Sequence, residues 1–251
     1  MKQYTSRTTL ADLAMIEKTR MQFQRHRIQM SNRMEAINEG KSNLTRAMCI
    51  MFFVRFRDLE DECSELIDNI IQGHPMWPWM KSVKGIGPGL SGSILAPIDI
   101  ERAKTVSALW RYCGQGVDAD GNRDRLVKGQ KSNFNSDLKR TCYLVASSFL
   151  RASSPYRREY DEAKVYYEEN RKEWTKGHID MAARRKMIKL FLSHMWVVWR
   201  DLEGHDISSP YAFSVMKHRD FKPVWEYAPD YEYSPAVRAC VPNHAGILVA
   251  A

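Results

Sequence analysis

The strongest constraint on the fold is the spacing of apolar residues in GHIDMAARRKMIKLFLSHMWVVWRDLEG, residues 177–204. Met187, Phe191, Met195, Val198 and Leu202 recur every three or four positions, while Arg184, Arg185, Lys189 and Arg200 fall away from that track. This is the repeat of a helix that buries one side, and a helix with so broad an apolar stripe needs other elements to cover it. The same period recurs along most of the chain, and no run alternates apolar and polar residues as a half-buried strand does. The expected fold is therefore all-α. With 251 residues, 44% of them hydrophobic, the chain is long enough to bury one large core or two small ones.

Three regions are expected. Over residues 1–72, Leu13, Ile16, Phe23, Met30, Met34 and Ile37 lie on a heptad-like track that is broken by Arg20 and Arg27. Gly40 gives a stop, Ser42 and Asn43 offer a cap, and a second stripe runs Phe52, Phe56, Leu59, Cys63, Leu66, Ile70. The simplest reading is an N-terminal antiparallel helical hairpin, which either pairs with a second copy through residues 8–71 or folds back on the chain's own core. Residues 73–203 form the central region and end on the long core helix. Within it, Val106, Leu109, Trp110 and Cys113 repeat at helical spacing, 115–135 reads as a polar surface loop, and Ser136 is a plausible cap for the helix that follows. A charged helix starts near Pro155. Residues 204–251, with Pro210, Pro223, Pro229, Pro235 and Pro242, read as an irregular tail wrapped on the body.

Five cysteines without a CxxC pair look like reduced core residues. Trp77, Trp79, Trp110, Trp196 and Trp199 sit in apolar neighbourhoods and read as core packing. The Glu60-Asp61-Glu62 run reads as a solvated helix face. The first residues carry no apolar signal core and no stretch is long enough to span a membrane, so a cytoplasmic protein is expected. No cofactor or metal motif appears; His178 and His194 are too far apart for one helical face and read as core or capping residues.

The net charge of +8 favours a polyanionic partner. Between two apolar stretches lies SVKGIGPGLSGSIL, residues 82–95. If Gly85-Ile86-Gly87-Pro88 turns between two helices, the missing side chains expose main-chain amides at a helix start, a setting suited to phosphate. Lys81 and Lys84 would add cationic contacts, Ile86 would plug into the core, Ser91 is small enough to let the two helices cross closely, and Gly89 is counted with the turn among the candidate DNA-binding residues. A second basic stretch, Arg123, Arg125, Lys128, Lys131, Lys139 and Arg140, with Phe134 interleaved, could follow a phosphate backbone.

The turn resembles the helix-hairpin-helix motif, which holds the DNA backbone without reading bases. Further on, VKGIGPGLSGSILAPIDIERAKTVSALWRYCGQG and LVKGQKSNFNSDLKRTCYLVASSFL are similar to the C-terminal domain of the transposase family named after insertion sequence 110. A compact subgroup of that family is matched by Gln24, Arg27, Ile28, Asn32 and Arg33, then by Gly177, His178, Arg185, Lys189, His194, Trp196 and Arg200. The domain resemblance covers residues 58–200, and the subgroup's covers most of the chain. It implies a helix-hairpin-helix, DNA-binding domain serving transposition or recombination of a mobile element.

The sequence departs from the family at two places. The N-terminal RNase-H-like domain is read as absent, because only helical patterns precede the turn. The serine-glycine taken as the family's nucleophile reads Asp120-Gly121 here, with Ser132 and Ser136 downstream. Three functions stand after this reading: a DNA-binding protein that grips duplex or branched DNA by its backbone, an active serine-type transposase or recombinase using Ser132 or Ser136, and a structural dimer. A backbone grip also takes RNA unless 2′-hydroxyls are contacted.

Overall fold

The computed structural model describes residues 6–117, 123, 125–207 and 222–240. Among them the architecture is all-α, with one isolated antiparallel bridge, Val117 to Arg123, and no strand. No described helix is long and apolar enough to cross a membrane. The chain divides into two compact units. The first is the chain up to His74 together with Ser91–Pro97, and the second is Pro75–Leu90 with the chain from Ile98 onward.

In the first unit α1 (Ser6–Asn38) and α2 (Arg46–Ile71) form the hairpin. Gly40, at φ +69°, lets Gly40 N–H reach Ile37 O and Lys41 N–H reach Ala36 O, which closes α1. The helices run antiparallel, since Arg27 meets Phe53, His26 stacks on Phe56 and Gln24 donates to Glu60. Arg20 and Arg27, which interrupt the apolar track, are paired inside the hairpin. Arg27 donates to Glu60 at 2.7 Å, and Arg20 grips Glu17 through two bonds at 2.7 and 2.8 Å. Glu60 is buried, so the solvated face expected of the Glu60-Asp61-Glu62 run is corrected at that residue. A carboxylate is tolerated there because a guanidinium and an amide satisfy it. Helix α4 (Pro88–Leu95) enters this unit through Gly92, whose missing Cβ would stand 2.3 Å from Ile67 Cγ2. Gly92 rather than Ser91 therefore marks the close crossing, though Ser91 is fully buried beside it.

The second unit is built around α8 (Lys176–Leu202), capped by Thr175 Oγ1, which accepts from His178 N–H. Its apolar stripe is buried as expected at Met187, Phe191, Met195 and Val198, joined by Trp196 and Trp199, each contributing about 1.5–3 kcal/mol by leaving water. Arg200, expected on the outside, is buried: it donates to Asp206 O at 3.0 Å and lies over Trp196. Around α8 pack α3 (Trp77–Ser82), α5 (Val106–Tyr112), α6 (Ser136–Ala152) and α7 (Arg157–Asn170). Trp79, Phe149, Tyr156 and Phe191 form an aromatic cluster with centroids 5.0–5.8 Å apart.

The cap of α6 is Asn135, whose side chain accepts from Asp137 and Leu138 N–H; Ser136 is the first helical residue instead. The tail's described part, a 3-10 turn (Val224–Glu226) and α9 (Pro235–Ala239), packs on this unit. Trp79 Nε1 donates to Tyr233 OH, Lys222 pairs with buried Glu159 at 3.1 Å, and Tyr227 OH donates to Glu159. Pro210 and Pro242 lie outside the described residues. All five cysteines are buried and unpaired.

Candidate nucleic-acid interface

Two features on the second unit, both resting on α6, gather the predicted residues. The first is the glycine turn. Gly85 adopts φ +99°, open to glycine alone at low cost, and sits against the C-terminal half of α6. A Cβ there would come within 3.2 Å of Ala152 Cβ and 3.3 Å of Phe149 Cδ1, and Ser148 Oγ donates to Gly85 O at 2.7 Å. Gly85 therefore serves the packing of the turn on α6, and its peptide faces protein rather than solvent. Ile86 is buried as the plug, and its N–H donates to Val83 O, which corrects the expectation that this amide points outward. Gly87 and Gly89 differ: a Cβ on either meets nothing within 4 Å. The backbone at the start of α4 is thus open to close approach, with exposed Lys81 and Lys84 nearby in sequence. Ser91, fully buried, does not reach that surface.

The second feature is a cleft of about 590 Å³ between the loop before α6, α6 itself and α8. Arg123, Arg125, Lys139, Arg140, Arg184 and Arg185 line it, and among the described residues no carboxylate does. The residues just after α5, Gly114 and Gln115, help build it. Gly114, at φ +67°, lets Gln115 N–H return to Trp110 O and leaves room for the stem of Lys139, whose Cδ would stand 2.7 Å from a Cβ there. Tyr112 O accepts from Asn135 N–H, tying α5 to the start of α6. The Lys139 ammonium lies 4.3 Å from the Phe134 ring centroid, so Phe134 is a buried platform under Lys139, not a stacking surface offered to solvent.

The cleft's electrostatics are lopsided. Arg184 is held by Asp180 at 2.8 Å and by Ser147 at 3.0 Å. Arg185 makes no ion pair among the described residues, and burial, then the charge of Arg123, push its pKa down to about 10. Lys189, over the Trp110 ring at 4.2 Å, is lowered by burial and by Arg185. Neighbouring half-buried like charges disfavour one another, so an anion placed among them relieves repulsion.

Lys128 and Lys131 are exposed on the loop but do not line the cleft. Ser132 is occupied by its own turn, donating to Phe134 O and accepting from Phe134 N–H. Ser136 lines the cleft. Asp120 and Gly121 lie outside the described residues. His194 is a core residue that accepts from Tyr156 OH and donates from Nε2 to Lys222 O, both at 2.8 Å, and burial drives its pKa down to about 4. His178 stacks on Trp174 with centroids 4.0 Å apart. Arg184 and Arg185 were legible as a charged helix face only; nothing in their own segment signals that residues far earlier in the chain would meet them, as Trp110 meets Lys189. No family model, curated protein or solved structure matches the chain.

Proposed function

We propose that this protein binds duplex or branched DNA through its sugar–phosphate backbone, using the open start of α4 and the cationic cleft. The observation that carries the reading is the meeting of six cationic side chains from three segments in a cleft that no described carboxylate lines, one of them, Arg185, half-buried and making no ion pair among the described residues. A protein that only needed a soluble surface would intersperse both signs. The turn packs on residues 148–152 of α6 and the cleft on 136–146.

The resemblance of residues 58–200 to transposase C-terminal domains supports a role in transposition or recombination of a mobile element. Fluorescence anisotropy on a labelled duplex tests the binding: Arg123→Glu and Arg140→Glu, both exposed, should each weaken affinity and make the salt slope shallower by about 0.9 for every phosphate no longer held. Unchanged slopes in both would refute the reading.

A second reading concerns self-association. On α2, Phe52, Leu59 and Leu66 are exposed at seven-residue spacing, with Met48 beside them, forming an outward seam beyond the one that packs on α1. Exposed Arg55 and Glu62 lie on the same track, and an antiparallel second copy places Arg55 against Glu62 twice by symmetry. We propose a homodimer through this face. Sedimentation equilibrium should show a dimer that Leu59→Glu converts to monomer; a monomeric wild-type chain overturns it.

A further inference from the structure

We infer that the recess beneath the cationic rim of the cleft takes a single unstacked DNA nucleotide, its base against the exposed Tyr143 wall and its flanking phosphates on the arginines. The inference rests on the DNA-binding reading and adds which form of DNA is preferred.

Rim and wall differ in chemistry. Arg123, Arg125 and Arg140 are exposed around the opening, whereas the accessible apolar surface inside is the Tyr143 wall, 46% exposed, backed by the buried Cys142, Ala146 and Ile188 and flanked at the mouth by exposed Leu126 and Met181. A duplex lying across a cationic ridge presents hydrated phosphates and sugars, which gain nothing from an apolar wall. Apolar surface inside a charged cleft suits a ligand that is anionic at two edges and apolar on its faces. A nucleotide out of the stack has that form.

One wall is ready for stacking. Tyr143 is 46% exposed, and the Arg184 guanidinium lies over its ring at 5.2 Å, fixed in place by Asp180 and Ser147. A rigid guanidinium–aromatic pair is a surface on which a base of any identity stacks. The cavity volume of about 590 Å³ lies within the range of about 300–1,000 Å³ that encloses small ligands, so the recess admits one nucleotide and not a helix. Removing a base from a duplex is least costly where it is already unpaired, which directs the protein to bulged or branched DNA.

The test compares three labelled probes in anisotropy titrations with the full chain: a paired duplex, the same duplex with one extrahelical nucleotide, and that duplex with an abasic residue at the extrahelical position. Stacking one base in the recess should favour the extrahelical probe over both others by about tenfold. Met181→Trp fills the recess from its exposed rim while every cation stays in place, and Leu126→Trp does so from the loop. Either variant, shown by thermal melting to be folded, should lose the preference and keep wild-type affinity and salt slope for paired duplex. Salt-sensitive duplex binding with no preference, equal affinity for the abasic probe, or a preference that survives in both folded variants overturns this inference alone. Absence of binding to every probe overturns the DNA-binding reading with it.

Discussion

The glycines of the turn separate a packing role from a ligand role, and the separation can be measured. At Gly85 an alanine would have to hold φ +99° and place its Cβ 3.2–3.4 Å from Ala152, Phe149 and Ser148 O. The backbone strain costs about 1–3 kcal/mol, and forcing a methyl into filled space adds about 1–3 kcal/mol, so Gly85→Ala should lose about 2–6 kcal/mol. At Gly89, inside α4 with nothing within 4 Å of a Cβ, alanine should instead gain about 0.5–1 kcal/mol from the lower entropy of the unfolded chain. Gly89→Leu keeps a strong helix former there but fills the approach with a side chain. Displacing one charge-assisted backbone bond to phosphate costs about 1.5–3 kcal/mol, so this variant should bind duplex about ten- to a hundredfold more weakly with stability unimpaired. Urea denaturation and anisotropy on the same preparations read both quantities. A Gly85→Ala protein as stable as wild type would refute the packing argument; wild-type affinity in Gly89→Leu would remove the turn from the interface.

Other perturbations follow from individual interactions. Gly92→Ala should cost upwards of about 1–3 kcal/mol by overpacking against Ile67 at 2.3 Å, and adding Ile67→Ala should cost less than the sum of the two single losses, as a double-mutant cycle would show. His74 and His194 are both held by burial at a pKa of about 4, below the unfolded value, so the unfolded chain binds more protons between pH 6.5 and 4. Stability should be complete above that window and fall with acidification by about 1 kcal/mol per pH unit for each histidine; a flat denaturation midpoint from pH 7 to 5 would contradict this. Glu60→Leu alone leaves the half-buried Arg27 without its partner and should cost about 1–3 kcal/mol, whereas pairing it with Arg27→Met should restore most of the loss on thermal melting.

The all-α architecture was legible because helical periodicity is local, and the stripe of α8 and the hairpin's stop at Gly40 were read directly from it. What stayed hidden was set by partners distant in the chain. Arg20 and Arg27 look like faults in an apolar track until Glu60 of the facing helix is placed beside them, and no local pattern selects Glu60 over Asp61 or Glu62. Arg200 belongs by period to an outer face, but backbone carbonyls of Ile100 and Asp206 draw it inward. Asn135 and Ser136 are both capping residues, and adjacency left the choice to geometry. At the interface, the basic loop and the glycine turn were visible, yet Arg184 and Arg185 join them only because α8 packs beside α6. Gly85 reads like Gly87 and Gly89 in sequence, and only the surface of α6 tells them apart.

The central claim, an electrostatic hold on the DNA backbone, is tested most directly by the dependence of duplex affinity on salt for the unmodified chain. Engagement of four to six phosphates by the cleft and turn predicts a log–log slope of roughly −4 to −5. A slope near zero, or no binding at low salt, would contradict the account.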